Sequence, residues 1–179
     1  MAVPAATRWI VTALAAPALT ASALTASAIA DDNGQAGVHP GSPFRFGDPA
    51  AIAFPVGAYP EEYDWDDMRD VTFTVDSVQR SGAGSVRYRL VIETPELGRV
   101  FGVNGLRPQC FADGTASDDP ADLPGSGELE AGTHTYPLDC AVPADTADLE
   151  IGFDHPGPDG EPVAMVFTGA VDPVDPDGS

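Results

Sequence analysis

From Ala50 onward, apolar residues recur at every second position in short runs, and no stretch sustains a helical period capped at both ends. That pattern restricts the chain to half-buried β-strands. "VTFTVDSV" (71–78) sets Val71, Phe73 and Val75 against Thr72, Thr74 and Asp76. Its phase then slips to Val78, which predicts a β-bulge. "VRYRLVIE" (86–93) alternates Val86, Tyr88, Leu90 and Ile92 against Arg87, Arg89 and Glu93. The intervening "QRSGAGS" is turn chemistry, so these two strands should form a hairpin or lie side by side. "AAIAFPVG" (50–57) carries Pro55, which suits an edge strand. Weaker strands are expected at 98–103 and 107–111, and clearer ones at 133–142, 148–153 and 163–171. The 18 prolines and 19 glycines supply the turns between them. Seven or eight short strands broken at this spacing predict an all-β, two-sheet sandwich with immunoglobulin-like architecture.

Two cysteines accompany this pattern. In "YPLDCAV", Tyr136, Leu138, Cys140 and Val142 share one strand face, which places Cys140 toward the core. The N-terminus explains how a pair of cysteines would be used. One positive charge, Arg8, precedes an apolar stretch from Trp9 to Leu19 and a small-residue segment ending in Ala28-Ile29-Ala30. That is the layout of a cleaved secretory signal peptide. The apolar run is too short and too alanine-rich to span a membrane. The expected organisation is a signal peptide at 1–30, a flexible Gly/Pro linker at 31–43, a sandwich domain at 44–171 and a disordered acidic tail at 172–179. In an oxidising compartment two solitary cysteines pair, so a structural Cys110–Cys140 disulfide is expected. A redox pair would want C-x-x-C spacing or a helix N-terminus, and neither is present.

Charge narrows the partner classes. All 28 carboxylates follow residue 30 and there is no lysine, so seven arginines leave the expected mature chain at −21. Such a surface repels nucleic acid and anionic membranes, and we expect neither as partner. It favours solubility, a monomer, cations or a basic protein. Acidic adaptation to salt, or a compositional bias toward Asp, explains the same charge without any partner.

A resemblance covers roughly residues 44–169. "CFADGTASDDPADLPGSGELEAGTHTYPLDCAVPADTADLEIGFD" runs from a strand into Asp113-Gly114. It continues through Gly127, Leu129 and Gly132 to Val142-Pro143, then to Leu149, Ile151 and Phe153. This layout resembles secreted actinobacterial domains with a telokin-like, immunoglobulin-like fold, and "FGDPAAI…VTFTVDSV" resembles their opening strands. The resemblance implies an extracellular module. The chain departs from it in lacking a lipoprotein cysteine and in placing Cys140 where an aromatic or aliphatic core residue is usual. It supplies no catalytic residue.

Candidate chemistry is sparse. His39, His134 and His155 are not spaced as ligands on one element, and each is expected at the surface, with His155 in a turn spanning 154–162. No nucleophile elbow or nucleotide-binding loop occurs, so no enzyme activity and no cofactor are expected. One segment stands out. "YPEEYDWDDMRD" (59–70) sets Tyr59, Tyr63, Trp65 and Met68 among Glu61, Glu62, Asp64, Asp66, Asp67 and Asp70. As a loop it reads three ways. It is a solvated connection whose aromatics fold back, a binding site using Tyr63, Trp65, Asp64, Asp66 and Asp70 on an extracellular protein or ligand, or a calcium site on Asp64, Asp66 and Asp70. The expected function is a secreted, non-catalytic interaction domain, with a calcium-binding or metal-stabilised module at 61–70 as the alternative.

Overall fold

The computed structural model describes residues 43–171 except 113, 118–120 and 126. The expected signal peptide, the linker up to residue 42 with His39, Asp113 of the expected turn and the acidic tail lie outside the described residues. Eleven strands and one 3-10 turn make up the fold, with no α-helix among the described residues. In chain order the strands are β1 (Phe44–Arg45), β2 (Pro49–Val56), β3 (Asp64–Gly82), β4 (Ser85–Thr94), β5 (Phe101–Gly102) and β6 (Gln109–Ala112). They continue as β7 (Thr115–Ala116), β8 (Glu128–Leu129), β9 (Gly132–Ala141), β10 (Asp148–Pro156) and β11 (Pro162–Ala170). All eight expected strands are present. The three additions, β1, β7 and β8, are two residues long each, too short to carry an alternation.

The strands form two sheets of a sandwich, ordered β2-β3-β4-β9 and β1-β11-β10-β6-β7, with β5 and β8 as a small third ladder. Alternation decides which side chains face inward. Val71, Phe73 and Val75 on β3, and Val86, Tyr88, Leu90 and Ile92 on β4, are almost wholly buried. They belong to the same core as Leu149, Ile151 and Phe153 on β10 and Met165 and Phe167 on β11. β2 is an edge strand, as Pro55 requires. The hairpin joining β3 to β4 closes at Gly82↔Ser85. The phase slip at Val78 is a bulge: the register jumps between Asp76 and Gln79, and Ser77 takes φ 52°. The extra residue lets Val78 return to the core after Val75.

The outer face of the first sheet is tied by cross-strand ion pairs. Arg89 donates two hydrogen bonds of 2.7 Å to Asp76 directly opposite, and that bonding holds the Asp76 carboxyl below its ordinary value. Arg87 pairs likewise with Asp139 at 3.0 Å.

Cys110 and Cys140 are bonded, 6.4 Å apart at Cα. Cys110 lies on β6 of one sheet and Cys140 on β9 of the other, so the bond crosses the sandwich. Both cysteines are buried, and Leu138 and Val142 are buried on the same side of the chain as Cys140.

Tyr88 introduces a cost into this core. Its side chain is 1% exposed, and its hydroxyl has no hydrogen-bond partner among the described residues. Burial, reinforced by the charge of Asp139, pushes the phenol well above its ordinary value. The neutral form is therefore favoured by folding. Its contribution is intact below the unfolded phenol value, near about pH 10, and is lost as pH rises beyond it. Tyr88→Phe should raise stability by about 1 kcal/mol, because a buried unpaired hydroxyl is costly. It should also move the onset of alkaline unfolding to higher pH. Urea unfolding at neutral and alkaline pH measures both, and a destabilised variant would show that the hydroxyl is paired.

Candidate functional site

The segment expected to be an acidic loop is not one. Pro60–Glu62 forms a 3-10 turn, and β3 begins immediately after it at Asp64. Residues 68–70 pair with β2 through Pro55↔Met68, Phe54↔Arg69 and Ala53↔Asp70. The first part of β3 runs beyond the core, so its side chains carry no buried alternation to reveal a strand. Pairing with β2, a long-range partner, creates it.

The register then jumps from Pro55↔Met68 to Val56↔Asp64. Trp65, Asp66 and Asp67 have no opposite residue on β2, and the bulge turns this stretch outward. Asp66 N–H donates to the Asp64 carboxylate at 3.0 Å, closing a local turn. Arg69 donates two hydrogen bonds to Asp67 at 2.8 and 3.0 Å, and this bonding lowers the Asp67 carboxyl from its ordinary value.

Among the described residues, no three His, Cys, Asp or Glu side chains gather closely enough to share a metal ion. Asp64, Asp66 and Asp70 are not gathered into such a group here. An extended strand spaces successive carboxylates along its length, whereas calcium wants them wrapped around one point.

The aromatics are brought together instead, by a residue the sequence did not single out. Arg99 is half-buried, and its Nη1 donates to the carbonyls of Pro55 and Gly57 at 2.7 Å each and to that of Leu97 at 3.4 Å. Its guanidinium lies 4.4 Å above the Tyr63 ring centroid, a cation–π contact. Tyr63 in turn meets Trp65 edge-to-face at 6.2 Å. The clamp depends on a close backbone approach. Gly57 sits at φ 146° and donates to the Leu97 carbonyl, and a Cβ there would lie 2.6 Å from the Glu62 carbonyl oxygen. Only glycine fits.

Trp65 remains 55% exposed and Tyr59 61%, and Val100, next to Arg99, is 47% exposed. Beside them lies an open concavity of about 380 Å³ lined by Glu96, Gly98, Arg99, Val100, Glu130 and Ala131. Glu61, Glu62, Asp64 and Asp66 are exposed around the aromatics. The result is an aromatic patch in a field of carboxylates. Such a surface has the chemistry to bury aromatic area against a partner and to steer cations toward it.

The two described histidines do not join the patch. His134 on β9 is partly buried, with Nε2 2.8 Å from the Glu130 carbonyl. His155 corrects the expectation of a surface turn. It is 5% exposed and sits on β10, which continues to Pro156. Alternation from Ile151 and Phe153 carries it inward, and the turn spans only the residues between β10 and β11. Its place on the buried parity was legible, but its polarity disguised it.

No protein family, no curated protein and no solved structure matches the chain.

Proposed function

We propose that the chain is a secreted, non-catalytic immunoglobulin-like domain whose Tyr59–Trp65 patch docks a basic extracellular protein. The observation that carries this reading is the exposure of Tyr59 and Trp65 on a clamped, carboxylate-rimmed surface, in a fold that otherwise buries nearly all its large apolar side chains. Hot spots of protein interfaces favour such aromatics. The surrounding charge favours a cationic partner. Arg69, Arg87, Arg89 and Arg107 are each paired with an aspartate, and Arg80 and Arg99 donate to backbone carbonyls, so these cations do little to offset the acidic surface.

The immunoglobulin-like reading is supported by strand order. β3-β4-β9 opposite β11-β10-β6 follows the A-B-E and G-F-C succession of such sandwiches, with β2 added at the edge. The actinobacterial resemblance points the same way. The buried disulfide, together with the signal-like N-terminus, supports export to an oxidising compartment. The high net negative charge, −20 for the whole chain, supports a monomer through self-repulsion.

The test is calorimetric titration of the protein with an arginine-rich peptide, beside an acidic peptide of equal length. Binding of the basic peptide alone is expected, weakened about tenfold or more by Trp65→Ala and less by a charge-preserving change elsewhere such as Val166→Ala. Affinity that ignores Trp65→Ala and Tyr59→Ala and follows ionic strength alone would reduce the patch to a solvated surface.

A further inference from the structure

We propose that His155 is a proton-dependent clasp holding the small β5–β8 ladder against the sandwich. The argument begins with its two ring nitrogens. Nδ1 lies 2.7 Å from the Pro156 carbonyl oxygen and Nε2 lies 2.8 Å from the Gly102 carbonyl oxygen. Carbonyl oxygens only accept. A neutral imidazole has one N–H and one lone pair, so either tautomer sets a lone pair against one of these oxygens. The doubly protonated ring donates to both.

The surroundings suit a cation made without a carboxylate. β5 contributes Phe101, stacked on the imidazole at 4.8 Å with planes 18° apart. β2 contributes Phe54, edge-on at 6.0 Å, and β3 contributes Phe73 at 5.6 Å. Ring faces attract a cation, while burial opposes it. The carboxylates nearest in pairing or chain position are Glu128 opposite Gly102, Asp154 beside His155 and Glu161 on the following turn, and all three are exposed. Among the described residues, Asp154 and Glu161 form no hydrogen bond or ion pair with His155, whose ring nitrogens meet the two carbonyls. The proton is therefore held by two carbonyl dipoles and aromatic rings, an arrangement that gaining or losing one proton alters directly.

The ladder it holds is slight. β5 and β8 pair only through Phe101↔Leu129 and Gly102↔Glu128, continued by Val103 N–H to the Gly127 carbonyl at 2.8 Å. Two strands of this length do not persist alone. Phe101 and Leu129 anchor it by burial, and His155 links it by hydrogen bond to β10. With the proton bound, both carbonyls are satisfied. With it lost, one becomes repulsive and the clasp loosens. The tightening belongs to the doubly protonated ring and is lost with its second proton. Arg99 and Val100 immediately precede β5, so loosening would reach the edge of the aromatic patch. That consequence rests on the docking reading, but the clasp does not.

The test uses the full chain. Nitrogen-15 shifts of the His155 ring are measured from about pH 5 to about pH 8, with amide exchange of residues 100–103 and 127–129 corrected for intrinsic rates. Expected at the acid end are two protonated ring nitrogens. Protection of the ladder should then fall about tenfold toward the alkaline end, the effect of one lost hydrogen bond. His155→Gln should abolish that pH dependence. His134, whose Nε2 alone meets a carbonyl, is the internal control. One ring nitrogen unprotonated throughout, with protection independent of pH, would overturn the clasp, as would a wild-type pH dependence surviving in His155→Gln. The ring shifts decide the matter even if that variant does not fold.

Discussion

Replacing both cysteines, Cys110→Ala with Cys140→Ala, should lower the unfolding free energy by about 3–4 kcal/mol. The bond closes a loop of 30 residues, and chain entropy lost from the unfolded state accounts for that size. Here the loop begins on one sheet and ends on the other, spanning β7 and β8 and entering β9. The bond thus limits how far the segments that become β6 and β9 separate in the unfolded chain. Substituting both residues avoids leaving a lone reactive thiol. Urea unfolding of the double variant, compared with the oxidised parent, reads the effect. A loss below about 1 kcal/mol would mean that the unfolded loop is already compact, leaving the bond little entropy to remove. The aromatic patch should be unaffected, because neither cysteine touches it.

Phe73→Ala should cost about 3–5 kcal/mol, a large part of the stability of a domain of this size. Phe73 is fully buried on β3. Its ring lies 5.9 Å from Phe153 of the opposite sheet, 6.3 Å from Phe101 of the small ladder and 5.6 Å from His155. Truncation opens a cavity where all three sheets meet, and rigid strands cannot collapse to fill it. Phe73→Leu, which keeps most of the volume, should cost less than half as much. Tyr59→Ala should stay within about 0.5 kcal/mol, since that side chain is mostly exposed. Equilibrium unfolding of the three variants checks the order. Equal costs for Phe73→Ala and Tyr59→Ala would mean that the core does not centre on Phe73.

How much was legible depended on what each residue's signal required. Val71, Phe73 and Val75, and the run Val86 to Ile92, announced their strands because each has one buried and one wet face. The Val78 slip announced the bulge for the same reason. Pro55 announced an edge, since a residue without an N–H cannot serve two neighbouring strands. Cys140 announced its direction by sharing parity with Leu138 and Val142. Residues 64–70 announced nothing, because both faces of that stretch are largely wet and only β2 makes it a strand. β1, β7 and β8 are too short for any period. His155 lies on the buried parity while its polarity points to the surface, and Arg99 has no local signal at all.

The sequence by itself therefore determined the all-β class, the main strands, the inward faces and the direction of Cys140, because a period of two is written into neighbouring residues. Beyond the β3–β4 hairpin, the tertiary structure alone decided which strands are neighbours and that the acidic segment is half strand. It also decided that Arg99 lies over Tyr63, which in turn meets Trp65, and that His155 meets Gly102. Each of these joins residues distant in the chain, through backbone carbonyls that every residue possesses and no local pattern can mark.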